Sequence, residues 1–205
     1  MRATFQGGVH CTSLHELKPL LKEWIAANLT VVGGWADAGD LPWWYNERAS
    51  ISVLAGAAWK TGGFAFEEFG DEKKTGKKRQ LLYHGRIDLY FNVKGEHFIA
   101  ECKYFQSSAT FGCPTTTEQL RKGLQEACRA VEKCPRRGQR KLGILFAAPY
   151  IAKSREAHAD ELLKVWFAAM RRVRCPCSAW VFPAGVQRDS IQHIWPGAAV
   201  LIREV

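Results

Sequence analysis

The sequence lacks the features of a membrane-spanning, secreted or multidomain chain. Its longest apolar stretches, such as residues 144–150, are much too short to span a bilayer. The first ten residues lack the apolar core of a signal peptide. No repeat, low-complexity tract or Pro/Ser-rich linker divides the chain. We therefore expect one cytoplasmic domain over residues 1–205, a length that buries a core without disulfides.

Cysteine is scattered along the chain and does not form a recognisable framework. There are seven cysteines, an odd number, and only Cys175 and Cys177 lie close together. Their single-residue gap differs from the two-residue gap of a common zinc knuckle, and no second His or Cys pair completes such a site nearby. The pattern favours free cytosolic thiols and argues against a structural zinc.

Hydrophobic and basic residues are abundant. Hydrophobic residues make up 47% of the chain and aromatic residues 12%, which excludes disorder as the main state. The 29 Lys and Arg residues against 20 Asp and Glu residues give a net charge of +9. Such an excess points to a polyanionic partner, although net charge alone does not identify a fold.

Hydrophobic periodicity predicts an α/β protein with a mixed sheet flanked by helices. A capping box at Ser13 and Glu16 marks the first helix, and the glycines and proline in residues 32–44 predict a loop. The strands between residues 64 and 105 form a meander, and the apolar run at 142–150 predicts a central strand. The predicted helices cover 13–29, 46–60, 115–134 and 154–172, and the predicted strands cover 64–69, 87–93, 97–105, 142–150, 179–183 and 198–202.

Two acidic residues face each other in the predicted meander. If residues 94–95 form a two-residue hairpin turn, Asp88 lies directly opposite Glu101, with Cβ atoms roughly 4.5–5.5 Å apart. Like charges at that distance destabilise a sheet unless a cation lies between them. A glycine bulge in the turn would instead shift the pairing by one residue and bring Asp88 toward Ala100.

A lysine joins this acidic pair. Glu101 and Lys103 lie two residues apart on one strand, so their side chains share a face, with Cα atoms about 6.6 Å apart. Metal-dependent phosphodiester hydrolysis uses hard oxygen ligands for Mg²⁺ and a nearby cation that offsets developing charge. The residues therefore predict a nuclease that depends on Mg²⁺ or Mn²⁺.

The run from Asp88 to Glu101-Cys102-Lys103 resembles the PD-(D/E)XK nuclease superfamily, which has the restriction-endonuclease-like fold. The resemblance covers roughly residues 46–150, where the predicted order is helix, three-stranded meander, helix and strand. Helix 13–29 precedes this core, and a helix and strand extension over 154–205 follows it.

The resemblance implies a role for each motif residue. Asp88, Glu101 and the backbone carbonyl of Cys102 would bind the metal, and Lys103 would stabilise charge and position water. One departure is Ile87, since the family often has a proline directly before this aspartate.

Two further residues are implied by the same resemblance. Many members carry another acid on the preceding helix, and Glu47 is our candidate for that acid, with Glu67 and Glu68 on the first strand as alternatives. Glu67 and Glu68 have opposite parity, so only one of them can face the site. Gln119 matches a glutamine that members often carry on the helix after the motif. The tyrosine that follows this glutamine in the helicase-associated nucleases is absent.

Two basic clusters suit a protein that follows a nucleic-acid backbone. We predict that the substrate is DNA and not RNA, and that the protein has no membrane partner. The sequence does not decide whether the protein forms a homodimer. The alternatives are an RNA-cleaving toxin or defence effector with the same site, and a nucleic-acid-binding relative that does not cleave. The predicted binding residues are Lys73, Lys74, Lys77, Lys78 and Arg79 in one cluster and Arg136, Arg137 and Arg140 in the other.

Overall fold

The fold is that of an α/β protein whose mixed sheet is flanked by helices, as the sequence predicts. The computed structural model describes residues 6–35, 40–75, 81–111, 115–135, 138–183, 188–189 and 192–205. The helices are α1 (Lys18–Trp35), α2 (Pro42–Tyr45), α3 (Glu47–Lys60), α4 (Thr115–Glu132) and α5 (Ala159–Arg171). The strands are β1 (Gly7–Cys11), β2 (Phe64–Thr75), β3 (Leu81–Val93), β4 (Glu96–Ser108), β5 (Arg140–Ala152), β6 (Cys177–Val181), β7 (Arg188–Asp189), β8 (His193–Trp195) and β9 (Ala198–Glu204).

The main sheet has the strand order β1-β6-β9-β5-β4-β3-β2, and β8 joins β7 to the end of β5. Strands β2, β3 and β4 form the predicted antiparallel meander. Among the described strands, β4 and β5 are the only parallel neighbours, and α4 connects them. Parallel neighbours need such a crossover, because a tight turn can only reverse the chain. No helix in the described part of the chain is long and apolar enough to cross a membrane.

Helices pack on both faces of the sheet. On one face Leu54 of α3 lies in the same core as Phe91 of β3 and Leu21 of α1. On the other face Leu124 of α4 and Trp166 of α5 share a second core. The predicted central strand is confirmed as β5, whose residues 142–148 are buried between these two layers.

The first helix starts and ends later than its sequence predicts. The capping box at Ser13 is not formed; a 3-10 turn over His15–Leu17 precedes α1, which begins at Lys18. Pro19 explains this start, since proline fits only the first turn of a helix. The helix then continues to Trp35 and α2 forms over Pro42–Tyr45, so the predicted loop over 32–44 is wrong for residues 32–35 and 42–44. Burial of Val32 offsets the poor helix propensity of the neighbouring glycines.

Other boundaries follow the sequence more closely. The predicted start of the second helix is confirmed, because the Asn46 side chain accepts a hydrogen bond from the Ala49 N–H at 3.1 Å and caps α3. The predicted helix over 154–172 begins instead as a 3-10 helix over Lys153–His158, and α5 itself starts at Ala159. Strands β1, β7 and β8 are short and were not predicted.

A disulfide joins Cys11 to Cys177. The two residues lie opposite each other in the β1–β6 pair, although 166 residues separate them in the sequence. The expectation of free thiols is therefore wrong for this pair. Because the strand pairing creates this proximity, no local cysteine spacing signals it.

The hairpin between β3 and β4 has the predicted register. Val93 pairs with Glu96, and the pairing continues to Leu89 opposite Ala100. Lys94 and Gly95 have φ values of 53° and 80°. Positive φ at both central residues is typical of a type I′ turn, in which asparagine followed by glycine is preferred.

We expect Lys94→Asn to raise the free energy of unfolding by about 0.5–1 kcal/mol, because asparagine adopts the left-handed conformation more readily than lysine. Urea denaturation measures this change. Lys94→Ala is the control, since it removes the same charge without the turn preference. Equal stability of the two variants would contradict the explanation.

Candidate active site

The candidate site lies where β3 separates from β4. The last paired residues are Leu89 and Ala100. Asp88 directly precedes Leu89 on β3, and its Oδ2 accepts a hydrogen bond from the Cys102 N–H at 2.7 Å. A side-chain carboxylate thus satisfies a strand N–H that the neighbouring backbone does not, and this bond fixes the carboxylate between the two strands.

Strand β3 also changes its facing at this point. Residues two apart in a regular strand share a face, yet Leu89 lies in the core under α3 while Ile87 packs with Val131 of α4. Across from Asp88 on β2, Glu68 has a φ of 47°. This left-handed backbone is uncommon for a residue other than glycine. The distortion therefore runs through both strands and turns Asp88 toward β4.

Lys103 lies beside the same backbone. Its Nζ donates a hydrogen bond to the carbonyl of Cys102 at 2.8 Å and lies 4.0 Å from Oε2 of Glu47. The side chains of Lys103 and Glu47 are both half-buried. An ammonium group therefore stands between the Cys102 carbonyl and a carboxylate of α3.

Glu47 is the first residue of α3 and reaches the site over the strand edge. Burial raises the pKa of its carboxyl, and the nearby Asp88 raises it further. The ammonium of Lys103 and a hydrogen bond from the Tyr104 backbone oppose that rise. The net rise in pKa shows that the charged form of Glu47 is incompletely compensated by the groups around it.

Two residues further along β4, Tyr104 and Gln106, bind α2, the short helix that precedes α3. The sequence analysis did not identify them. The hydroxyl of Tyr104 donates to the carbonyl of Trp43 in α2. The Gln106 amide donates to the Trp44 carbonyl at 3.1 Å and to the Tyr104 hydroxyl at 2.8 Å. Desolvation raises the pKa of Tyr104 to about 12, so this hydroxyl stays a donor at neutral pH. Tyr104 and Gln106 have the same parity as Cys102 on β4, and this pattern could have placed them on one face of the strand.

Glu101 is buried, with 5% of its surface exposed. Its Oε1 lies 3.8 Å from Sγ of Cys134, just beyond the end of α4. The predicted pairing of Asp88 with Glu101 is wrong, because the β3–β4 pairing ends at Leu89 and Ala100. The two carboxylates instead have different hydrogen-bond donors, a thiol for Glu101 and a backbone N–H for Asp88.

The charges of these residues affect the pKa of the buried Cys102 thiol. Burial raises its pKa most, and then Asp88, Glu47 and Glu101 each raise it, while Lys103 lowers it. Three acids and one lysine thus act electrostatically on one buried side chain. The predicted residues Glu47, Asp88, Glu101 and Lys103 therefore all lie close enough to the Cys102 thiol to shift its pKa. We call this group of residues the centre of the site.

The alternative acids on β2 have other partners. Glu67 accepts a hydrogen bond from the Ser52 hydroxyl at 2.9 Å. Glu68 pairs with Arg48 at 2.7 Å and with Arg86 at 3.0 Å. Of the three acids considered for the third position, Glu47 is the one that the structure places beside Lys103.

The remaining predicted residues are Gln119 and the members of the two basic clusters. Gln119 is exposed on α4, and Arg140 forms ion pairs with Glu16, Glu96 and Glu204. Lys73 and Lys74 belong to β2. The residues Lys77, Lys78, Arg79, Arg136 and Arg137 lie outside the described residues.

The donor set limits how a cation could be held. Within the described ranges, no three His, Cys, Asp or Glu side chains come together as a metal-holding group. Asp88, Glu47 and the Cys102 carbonyl nevertheless offer oxygen donors, and Mg²⁺ commonly uses one or two carboxylates and keeps several waters. In chemical type these donors match a partly hydrated Mg²⁺, while the Lys103 ammonium is hydrogen-bonded to the same carbonyl. Comparisons with protein-family models, curated proteins and solved structures found no match.

We expect Glu47→Gln to change the pH dependence of stability. A raised pKa means that the folded protein binds this proton more tightly than the unfolded chain does, so wild-type stability falls as pH rises from the ordinary value of 4.5 through the folded pKa. The glutamine variant lacks this loss. It should therefore gain stability relative to wild type between about pH 4 and pH 7.

Urea midpoints measured across that pH range test this expectation. Glu118→Gln is the matched control, since it makes the same chemical change at an exposed helix position. A wild-type profile for Glu47→Gln would show that the Glu47 carboxylate is fully compensated in the folded protein.

Proposed function

We propose that this protein is a metal-dependent nuclease of the PD-(D/E)XK type that hydrolyses phosphodiester bonds, with DNA as its main substrate. One observation carries the proposal. Asp88, Glu47 and Lys103 converge at the place where β3 separates from β4, and the Asp88–Cys102 hydrogen bond holds the strands in that arrangement.

The order of elements supports the same reading. Helix α3 is followed by the β2–β3–β4 meander, then by α4 and by β5 parallel to β4. This is the order that the resemblance to the restriction-endonuclease-like fold implies for residues 46–150. Within it, Asp88 occupies the second strand of the meander and Glu101 to Lys103 the third.

In this proposal, Asp88, Glu47 and the Cys102 carbonyl would hold Mg²⁺ or Mn²⁺, with Glu101 as a further candidate ligand. When bound, the ion would supply the Lewis acidity that polarises a phosphoryl oxygen. A carbonyl oxygen has two lone pairs, so the hydrogen bond from Lys103 to Cys102 does not by itself exclude coordination. Because Asp88 raises the pKa of Glu47, the pair would gain from a cation that neutralises both.

Lys103 supplies a fixed positive charge to the reaction. Its ammonium is held by the Cys102 carbonyl and lies near Glu47, so it is oriented before substrate binds. A preorganised cation stabilises the negative charge that develops on the phosphoryl oxygens in the transition state. Positioning and charge compensation are thus the roles that Lys103 would have.

We expect Asp88→Asn to lower the rate of DNA cleavage roughly 100- to 1000-fold. The amide oxygen of asparagine can still accept the Cys102 N–H, so the substitution removes charge and keeps the strand contact. Alanine is less suitable, because it would leave this N–H unpaired at a cost of about 1–3 kcal/mol. The assay incubates purified protein with plasmid, single-stranded DNA and RNA, each with Mg²⁺, Mn²⁺ or EDTA.

Glu67→Gln is the matched control for this experiment, since it removes a carboxylate that is bonded to Ser52 instead. We expect it to cleave at the wild-type rate. Cleavage by Asp88→Asn at the wild-type rate would reject the proposed site. Loss of activity in Glu67→Gln with normal activity in Glu47→Gln would transfer the third acidic role to β2.

The basic segment that follows β2 gives a separate expectation. Charge reversal at Lys77 and Lys78 should weaken binding about equally for all DNA sequences and flatten its salt dependence, because phosphate contacts carry no sequence information. Fluorescence anisotropy over a range of salt concentrations measures both effects. Reversal of Lys18 and Lys22, which are exposed on α1, is the control with the same change in net charge. Equal effects in both double variants would point to total charge and not to this segment.

A further inference from the structure

A cluster of aromatic side chains lies on β2, β3 and the adjoining ends of α3 and β4. We call this cluster the aromatic face; it comprises Trp59, Phe64, Phe66, Phe69, Tyr90 and His97. Phe66 and Trp59 are 55% and 56% exposed. Large apolar rings that remain exposed side by side are a feature of binding surfaces.

The rings of the aromatic face form an ordered set. Phe66 and Tyr90 are stacked, with ring centroids 6.2 Å apart and an interplanar angle of 23°. Phe64 lies 5.7 Å from Phe66 and 5.8 Å from Tyr90. The Tyr90 hydroxyl is hydrogen-bonded to Nδ1 of His97 at 2.7 Å. These contacts hold the rings in place, so a ligand would meet them with little loss of side-chain entropy.

The aromatic face and the candidate active site share strands β3 and β4. Tyr90 pairs with Ile99 on β4, and Ile99 has the same parity as Glu101 and Lys103. Asp88 precedes Tyr90 by two residues on β3, at the point where the strand changes its facing and turns toward β4. Helix α4 packs on β4, β5 and β9, and Phe66 of β2 remains exposed.

Two exposed lysines lie near the aromatic face. Lys94 is exposed in the β3–β4 turn, and Lys133 is exposed directly before Cys134, which packs in the same cluster as Tyr90. The whole chain has a net charge of +9. A ligand that combines flat apolar rings with negative charge suits both features. The bases and phosphates of a single-stranded nucleic acid have this combination, whereas a duplex keeps its base faces stacked inside.

We propose that the aromatic face binds single-stranded nucleic acid by stacking bases on Phe66 and its neighbours, and so delivers an unpaired strand to Asp88. This inference rests on the proposed function, since it names the form of nucleic acid that would reach the site. DNA and RNA share the chemistry that the rings recognise. Phe66 is the central contact because it is the most exposed ring that also stacks on Tyr90.

The test measures the affinity of the full chain for labelled single-stranded DNA, single-stranded RNA and duplex DNA by fluorescence anisotropy. EDTA is present throughout, so that no metal-dependent cleavage occurs. We expect Phe66→Ala to weaken single-strand binding roughly 5- to 150-fold, the range given by stacking energies per base. Duplex affinity and the salt slope should stay unchanged, because the ring carries no charge and does not reach paired bases.

Three further variants make the test specific. Phe66→Trp should restore single-strand affinity, while Phe66→Leu, which is apolar but has no π-face, should not. Phe111→Ala is the matched control, because Phe111 is 52% exposed and contacts His158 away from the aromatic face. The DNA and RNA arms, compared in wild type, show which strand binds more tightly.

Several results would overturn the inference. Wild-type affinity in Phe66→Ala would remove the stacking role, and wild-type affinity in Phe66→Leu would replace stacking with general apolar contact. Sedimentation that shows a wild-type dimer and a monomeric Phe66→Ala, with unchanged oligonucleotide affinity, would make the aromatic face a self-association surface. These binding data test only the stacking role. The nuclease proposal is tested separately, by comparing the cleavage rates of wild type and Asp88→Asn.

Discussion

The hydrogen bond from the Cys102 N–H to the Asp88 carboxylate is the contact on which the candidate site depends. Regular pairing between β3 and β4 stops at Leu89, and an open strand edge inside a folded protein leaves backbone donors that need partners. Asp88 supplies that partner from its side chain. The same bond that completes the sheet therefore fixes a carboxylate at the point where the two strands move apart.

The negative charge of Glu47 near this bond is incompletely compensated. Glu47 has a raised pKa, and burial and Asp88 both contribute to the rise. Lys103 compensates part of that negative charge, yet it also donates to the Cys102 carbonyl. Groups with perturbed pKa values that share one small volume are a common property of functional sites. The acids beside Lys103 therefore support the proposed site.

Sequence patterns were sufficient where local chemistry decides the structure. The turn at 94–95 set the hairpin register, and Asn46 marked the start of α3. The patterns failed where distant segments decide. The change of facing at Asp88 depends on β2 and α4, and strict alternation would have placed Ile87 with Leu89. The Cys11–Cys177 disulfide likewise needs two strands that meet only in the folded sheet.

The two faces of the meander lie in different surroundings, although one alternating strand pattern encodes both. Leu89 faces the core under α3, whereas Tyr90, the next residue, faces the aromatic side. Nothing in a short alternating run distinguishes a side chain that packs under a helix from one that stays exposed, since α4 lies over β4 and β5 and not over the exposed rings of β2. Exposure of Phe66 is therefore a property of the assembled layers. That is the physical reason why the motif could name neighbours such as Glu47 and Lys103, while it could not predict the exposed aromatic face.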